Sequence, residues 1–186
     1  MALPTLATPH LVLAPESATD LDRLWRLLTN PEVRRHLCDD VEFSRAEVER
    51  LLEASLALAA DGFGCWMIST KAGDFVGFVE LRPAEAAAVF DKRLAGETEP
   101  VIAIAPEFWG RGYAHEATSA AIAYGFAQRE LARLVAIVDE PNHRSHALMR
   151  RLGFRRYGAS DGKKYRFVSY RLSPADFAAA GEALNR

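Results

Sequence analysis

Cysteine is nearly absent: the 186 residues hold two, Cys38 and Cys65. Two thiols can build neither a disulfide framework nor a four-ligand zinc site. No uninterrupted apolar run approaches the roughly 20 residues that a membrane-spanning helix needs. The first fifteen residues, MALPTLATPHLVLAP, lack the basic stretch and following apolar stretch of a secretory leader. There is no long run of Lys or Arg, and the isoelectric point is near 6.2, which argues against a nucleic-acid partner. These absences predict a reduced, soluble, cytoplasmic protein with no nucleic-acid and no membrane partner, a monomer or homodimer.

What is present is ordinary globular material. Hydrophobic residues make up 49% and charged residues 26%, which excludes disorder as the main state. A chain of this length buries roughly 70% of its unfolded surface and needs no staple to hold a core. With no internal repeat and no long linker, residues 1–186 read as one domain. The net charge of −2 hides an asymmetry: residues 1–100 hold 10 Lys+Arg against 17 Asp+Glu, and residues 101–186 hold 13 against 8. The basic half could face an anionic ligand, or both halves could be solvated surface.

The pattern along the chain is mixed α/β. Residues 10–14 read as a first strand. Ser17 with Asp20, and Ser44 with Glu47, read as capping boxes that open helices, and Asn30-Pro31-Glu32 reads as a cap with Pro at the first helical position. Residues 64–70 and 74–81 form a hairpin around Lys71 to Asp74. Residues 83–98 are Ala-rich and give no clear pattern beyond a helical turn. Then follow a strand over 99–105, a tight loop over 106–112 and a helix. A strand over 133–138, a helix from Asn142 to Leu152, two strands over 154–158 and 164–171, and a C-terminal helix over about 174–185 complete the series.

The loop holds the chemistry. A buried strand runs into Trp109-Gly-Arg-Gly112-Tyr-Ala114, and a helix starts at once. Glycine lets backbone approach a ligand with no Cβ between. The first N–H groups of a helix are unpaired and its dipole is positive there, so such a place suits phosphate. A dinucleotide loop would want a third glycine where His115 stands, and a P-loop would want Lys after Gly112. A tight strand-to-helix turn with no ligand is the plain alternative.

The wider pattern resembles the GNAT superfamily of N-acetyltransferases, whose loop reads roughly [QR]-x-x-G-x-[GA]. Trp109 in place of Gln/Arg is similar to the branch that includes the ribosomal-protein N-terminal acetyltransferases. A second block, Asn142, Ser145, Leu148, Met149, Gly153 and Phe154, resembles that branch's N-x-x-S-x-x-[LV]-M-x-x-x-G-F. Thr8-Pro-His-Leu-Val-Leu13 and Asn30-Pro-Glu-Val33 are similar to it as well. The resemblance implies a mixed, mostly antiparallel sheet with a splayed central strand pair and flanking helices. It implies acetyl-CoA as cofactor, its pantetheine paired with the backbone of Ile102, Ala103 and Ile104. Its pyrophosphate would be held by Trp109, Gly110, Arg111, Gly112, Tyr113 and Ala114, with Asn142 and Ser145 on the cofactor side.

The implied reaction is transfer of an acetyl group to a primary amine, on a small molecule or a protein N-terminus, by direct attack on the thioester. The attacking amine must lose a proton, and Glu99 at the start of the cofactor strand is the candidate base. A solvated strand-end acid is the plain alternative for Glu99, and a non-catalytic acyl-CoA-binding module is the alternative for the whole chain. Met149 stands where many members carry a proton-donating Tyr, and a thioether cannot donate. His115, His143 and His146 lack the further ligands of a zinc site and read as surface or phosphate-proximal groups. Cys38 and Cys65 read as packing residues. Asp39, Asp40 and Glu42, beside Arg34, Arg35 and His36, are either an ammonium site or a solvated acidic turn.

Overall fold

The computed structural model describes residues 3–184. They form two compact units: the described residues up to 82 with 101–121, and residues 83–100 with those from 122 onward.

The first unit begins with β1 (Leu6–Ala7) and β2 (Leu11–Pro15), an antiparallel hairpin with Leu6 opposite Leu13. A short helical turn leads into α1 (Leu21–Thr29). Its expected capping box is present: Asp20 carboxylate accepts from Ser17 N–H at 3.0 Å and from Ser17 Oγ at 2.9 Å. Next comes α2 (Pro31–Arg34), where Asn30 Oδ1 accepts from Glu32 N–H at 2.9 Å. The second box opens α3 (Arg45–Leu58), with Ser44 N–H donating to Glu47 at 2.8 Å. Strands β3 (Gly64–Thr70) and β4 (Phe75–Pro83) are the expected hairpin, Cys65 lying opposite Glu80.

Strand β5 (Thr98–Ile104) completes a sheet of order β1-β2-β3-β4-β5, so β5 is its terminal strand. Gly77 of β4 shows how close the two backbones come, because a Cβ there would lie 2.0 Å from Ala103 O. The helical spacing of Leu21, Leu24 and Leu28 sets one face of α1 into a core with Val48, Leu52, Met67, Phe78 and Ala103. Helix α5 (Tyr113–Gln128) starts in this unit.

In the second unit, the unreadable stretch is ordered: α4 (Glu85–Ala88) and a turn over Lys92–Leu94. Ala84, Ala87 and Leu94 pack with Val135. Strand β6 (Leu134–Asp139) and helix α6 (His143–Arg151) lead to β7 (Arg155–Asp161) and β8 (Arg166–Leu172). These strands form an antiparallel sheet of order β6-β8-β7. Helix α7 (Pro174–Leu184) follows, its first turn capped by Ser173 accepting from Asp176 N–H at 3.2 Å. Residue 185, the expected end of this helix, lies outside the described residues. The mixed α/β architecture is as the pattern predicted. Among the described residues no helix is long and apolar enough to cross a membrane.

Candidate active site

Ile102, Ala103 and Ile104 sit on β5, the last strand of its sheet. A terminal strand carries main-chain groups that its own sheet does not pair. The chain then leaves the sheet through a single helical turn, Pro106–Phe108. The Trp109 indole donates to Ile104 O at 2.7 Å and so ties the loop back to the strand it came from. Trp109 N–H is given to Pro106 O at 3.1 Å, within the turn, and the next main-chain donors along the loop begin at Gly110.

Gly110 and Gly112 have φ of +77° and +83°, a region that L side chains rarely adopt. A Cβ built on either would meet nothing within 4 Å. Glycine is therefore required by conformation, and the space beside it is open. Glu116 N–H bonds Gly112 O at 3.1 Å at the start of α5, where a helix presents main-chain N–H groups from its first turn. Arg111 donates to Glu107 O at 3.0 Å and its guanidinium stacks 5.2 Å over the Phe108 ring. Open loop, main-chain amides at a helix start, helix dipole and a guanidinium make a cradle suited to phosphate.

The second unit holds the remaining expected residues. Asn142 Oδ1 accepts from Ser145 N–H at 3.1 Å and caps α6, which leaves its amide –NH2 unused by the cap. Met149 is buried on the same helix. Glu99 is 5% exposed, which removes the reading of it as a solvated surface acid. His146 is spent inside this unit: Nδ1 lies 2.8 Å from Tyr170 Oη and Nε2 lies 3.1 Å from Glu140 O. The stretch before β5 is anchored by Asp91, which receives Arg93 Nε at 2.7 Å, Arg93 Nη2 at 2.8 Å and Ser169 Oγ at 2.9 Å.

Sequence reasoning missed a buried acidic group in the first unit. Glu16 N–H donates to Cys65 O at 3.0 Å, and Cys65 faces Glu80 across the β3–β4 ladder. Burial pushes the Glu16 carboxyl up to about 7, and neighbouring Glu80 and Asp20 add to this against the help of Ser55 and Cys65. Burial raises Glu80 as well, opposed by Arg82 and Ser55. Glu16 Oε1 and Ser55 Oγ are buried without a well-formed hydrogen bond. No local signal joins positions 16, 55 and 80, because only the sheet and α3 bring them together.

Burial also pushes the Cys65 thiol well up, so Cys65 is packing material rather than a nucleophile. The side chain of Cys38 lies outside the described residues. Of the acids near the first helices, Glu42 Oε2 and Asp40 Oδ1 pair with Arg34 at 2.8 and 3.4 Å, which favours the acidic-turn reading.

Residues 10–155 match the family model described as "Acetyltransferase (GNAT) domain". The chain belongs to this family. Its fold and enzyme class are those expected for N-acetyltransferases of the GNAT type. A curated relative is the FsC-acetyl coenzyme A-N(2)-transacetylase of Aspergillus fumigatus, 29% identical over 150 residues. That alignment covers 80% of this chain but 63% of the fungal protein, so the chain spans less than two thirds of that relative. Among solved structures, a GNAT-family acetyltransferase from Bordetella pertussis superposes with TM-score 0.79 at 23% identity, covering 91% of this chain and 99% of that one. The RimL ribosomal L7/L12 α-N-protein acetyltransferase, solved with coenzyme A, superposes with TM-score 0.72 at 17% identity, covering 93% and 98%. At these identities the structural likeness is one of fold.

Proposed function

We propose that this GNAT protein is a single acetyltransferase domain that moves an acetyl group from acetyl-CoA to a primary amine. The observation that carries the reading is a terminal strand, β5, running straight into an open positive-φ glycine loop at a helix N-terminus. The residues fit the cofactor. The edge of β5 at Ile102, Ala103 and Ile104 offers main-chain groups to an amide-bearing arm. The amides from Gly110 through Ala114, with Arg111, offer donors and positive charge to a pyrophosphate. Asn142, the cap of α6, and Ser145 within it are the residues that the family resemblance assigns to the cofactor side. When bound, acetyl-CoA supplies the thioester carbonyl that the amine attacks and the thiolate that leaves.

The chain's own part is protonic and electrostatic. An amine attacks only as the free base, and Glu99 takes its proton, directly or through one water. Main-chain N–H groups on the outer edge of β5, the last strand of its sheet, can hold negative charge without rearranging. Met149 has no proton to give, so the leaving thiolate takes its proton from solvent.

Two substitutions test the two halves of the reading. Gly112→Asp puts a carboxylate into the cradle and is expected to abolish the rise in Tm that acetyl-CoA gives the wild type. A folded variant with the full shift would overturn the loop assignment. Glu99→Gln is expected to leave acetyl-CoA affinity alone and to lower kcat by roughly 100-fold, the loss shrinking at high pH where the amine deprotonates unaided. An unchanged pH–rate profile would remove Glu99 as the base. Absence of turnover with every amine offered, despite binding, would favour a non-catalytic acyl-CoA-binding module.

A further inference from the structure

Thr8 and His10 belong to the N-terminal stretch that resembles the family, yet nothing above gives them a task. The structure joins them to the cradle. Glu116 lies in the first turn of α5, where its N–H bonds Gly112 O at 3.1 Å. Its carboxylate reaches the turn of the β1–β2 hairpin. Oε1 accepts from Thr8 Oγ1 at 2.6 Å and from His10 N–H at 2.8 Å, and Oε2 lies 2.9 Å from His10 Nδ1. The turn is itself closed by Thr8 N–H donating to Leu11 O at 3.0 Å and by Leu11 N–H donating to Thr8 Oγ1 at 3.1 Å.

We propose that Glu116 is a positioning residue, which pins the first turn of α5 to the β1–β2 hairpin and thereby sets the place of the anion-binding loop. The cradle cannot place itself. Gly110 and Gly112 bring no side chains, and the space beside them is open. Its position must come from its two ends. At the strand end the Trp109 indole holds Ile104 O. At the helix end Glu116 holds Thr8 and His10. Burial would push the Glu116 carboxyl up, but the donors from Thr8 and His10 outweigh it and hold the group below its usual range, so it is ionised. An ionised acid in a first turn suits the helix dipole. Left unpaired, the same charge would compete with a phosphate for those amides. The contacts with Thr8 and His10 engage both of its oxygens and prevent that.

The proposal rests on the cofactor reading, and the experiment separates their failures. Acetyl-CoA binding is measured by calorimetry and steady-state kinetics on the full chain. Glu116→Ala is expected to raise both Kd and KM for acetyl-CoA roughly tenfold, the worth of one charge-assisted contact, with kcat at saturation nearly unchanged. Glu116→Gln keeps an accepting oxygen and should fall between. Thr8→Val should show a smaller loss, and Thr8→Val combined with Glu116→Ala should bind no worse than Glu116→Ala alone, because both break one contact. A global structural role would lower Tm and the active fraction instead, leaving KM alone. A folded Glu116→Ala with wild-type affinity overturns the proposal, as do losses that simply add. Should Glu116→Ala fail to fold, Thr8→Val carries the same comparison. Should the wild type bind no acetyl-CoA, the cofactor reading fails by itself. The clamp is then judged by amide hydrogen exchange over 113–117, expected to be faster in Thr8→Val and Glu116→Ala; equal exchange overturns it.

Discussion

Each unit buries carboxylates, and one acid from each, Asp91 and Glu16, shows opposite treatment. In the second unit Asp91 is 4% exposed along its side chain, and both of its oxygens are met by donors, from Arg93 and Ser169. The Arg93 hydrogen bonds hold its pKa down to about 2, against the opposing effect of burial and with help from Ser169. In the first unit Glu16 keeps one buried oxygen without a partner, and burial drives it up to about 7. Burial alone therefore does not fix the sign of a pKa shift. The supply of donors does. One acid is held charged and staples a connection, and the other is half-buried and short of donors.

The comparison is best broken at Asp91. Asp91→Ala leaves the fully buried Ser169 hydroxyl without its acceptor and frees Arg93. It should cost about 2 kcal/mol in a denaturant melt. A loss near zero would mean that the contacts of Ala84, Ala87 and Leu94 hold the connection unaided.

The second effect is a pH dependence, with opposite signs for the two acids. Glu16 has a folded pKa of about 7 against a reference of 4.5. The folded state therefore binds more protons between these values. Its contribution is fully present below 4.5 and is lost as pH rises through about 7. Asp91 is depressed from 3.8 to about 2, so its contribution is present above 3.8 and is lost as pH falls through about 2. Denaturation midpoints across this range should fall on both limbs. Glu16→Gln should flatten the neutral limb and leave the acid limb in place, and an unaltered neutral slope would move the titration to Glu80. The smallest effect is expected for Arg93→Lys. Its side chain is 53% exposed, so water replaces much of what the two-pronged contact gives, and the midpoint should barely move.

Much of this was legible in advance, for a local reason. The boxes at Ser17/Asp20 and Ser44/Glu47 span three residues, and the Gly110/Gly112 loop spans one turn, so residue type and spacing are enough. The hairpin around Lys71 to Asp74 is readable in the same way. Residues 83–98 were not readable, because their order depends on Ser169 donating to Asp91 across 78 positions. Nothing beside Glu116 in the chain points to Thr8 and His10, which reach it from 108 and 106 positions away.

The sequence by itself determined the helix starts, the turn types and the requirement for glycine at the loop, since these follow from backbone conformation and neighbours within a few residues. It also determined the family, because two separated motifs keep their spacing. Only the tertiary structure decided which acids are charged and what holds the cradle still. Those outcomes depend on which donors reach a carboxylate or carbonyl once water has been removed, and chain distance does not say which donors those will be.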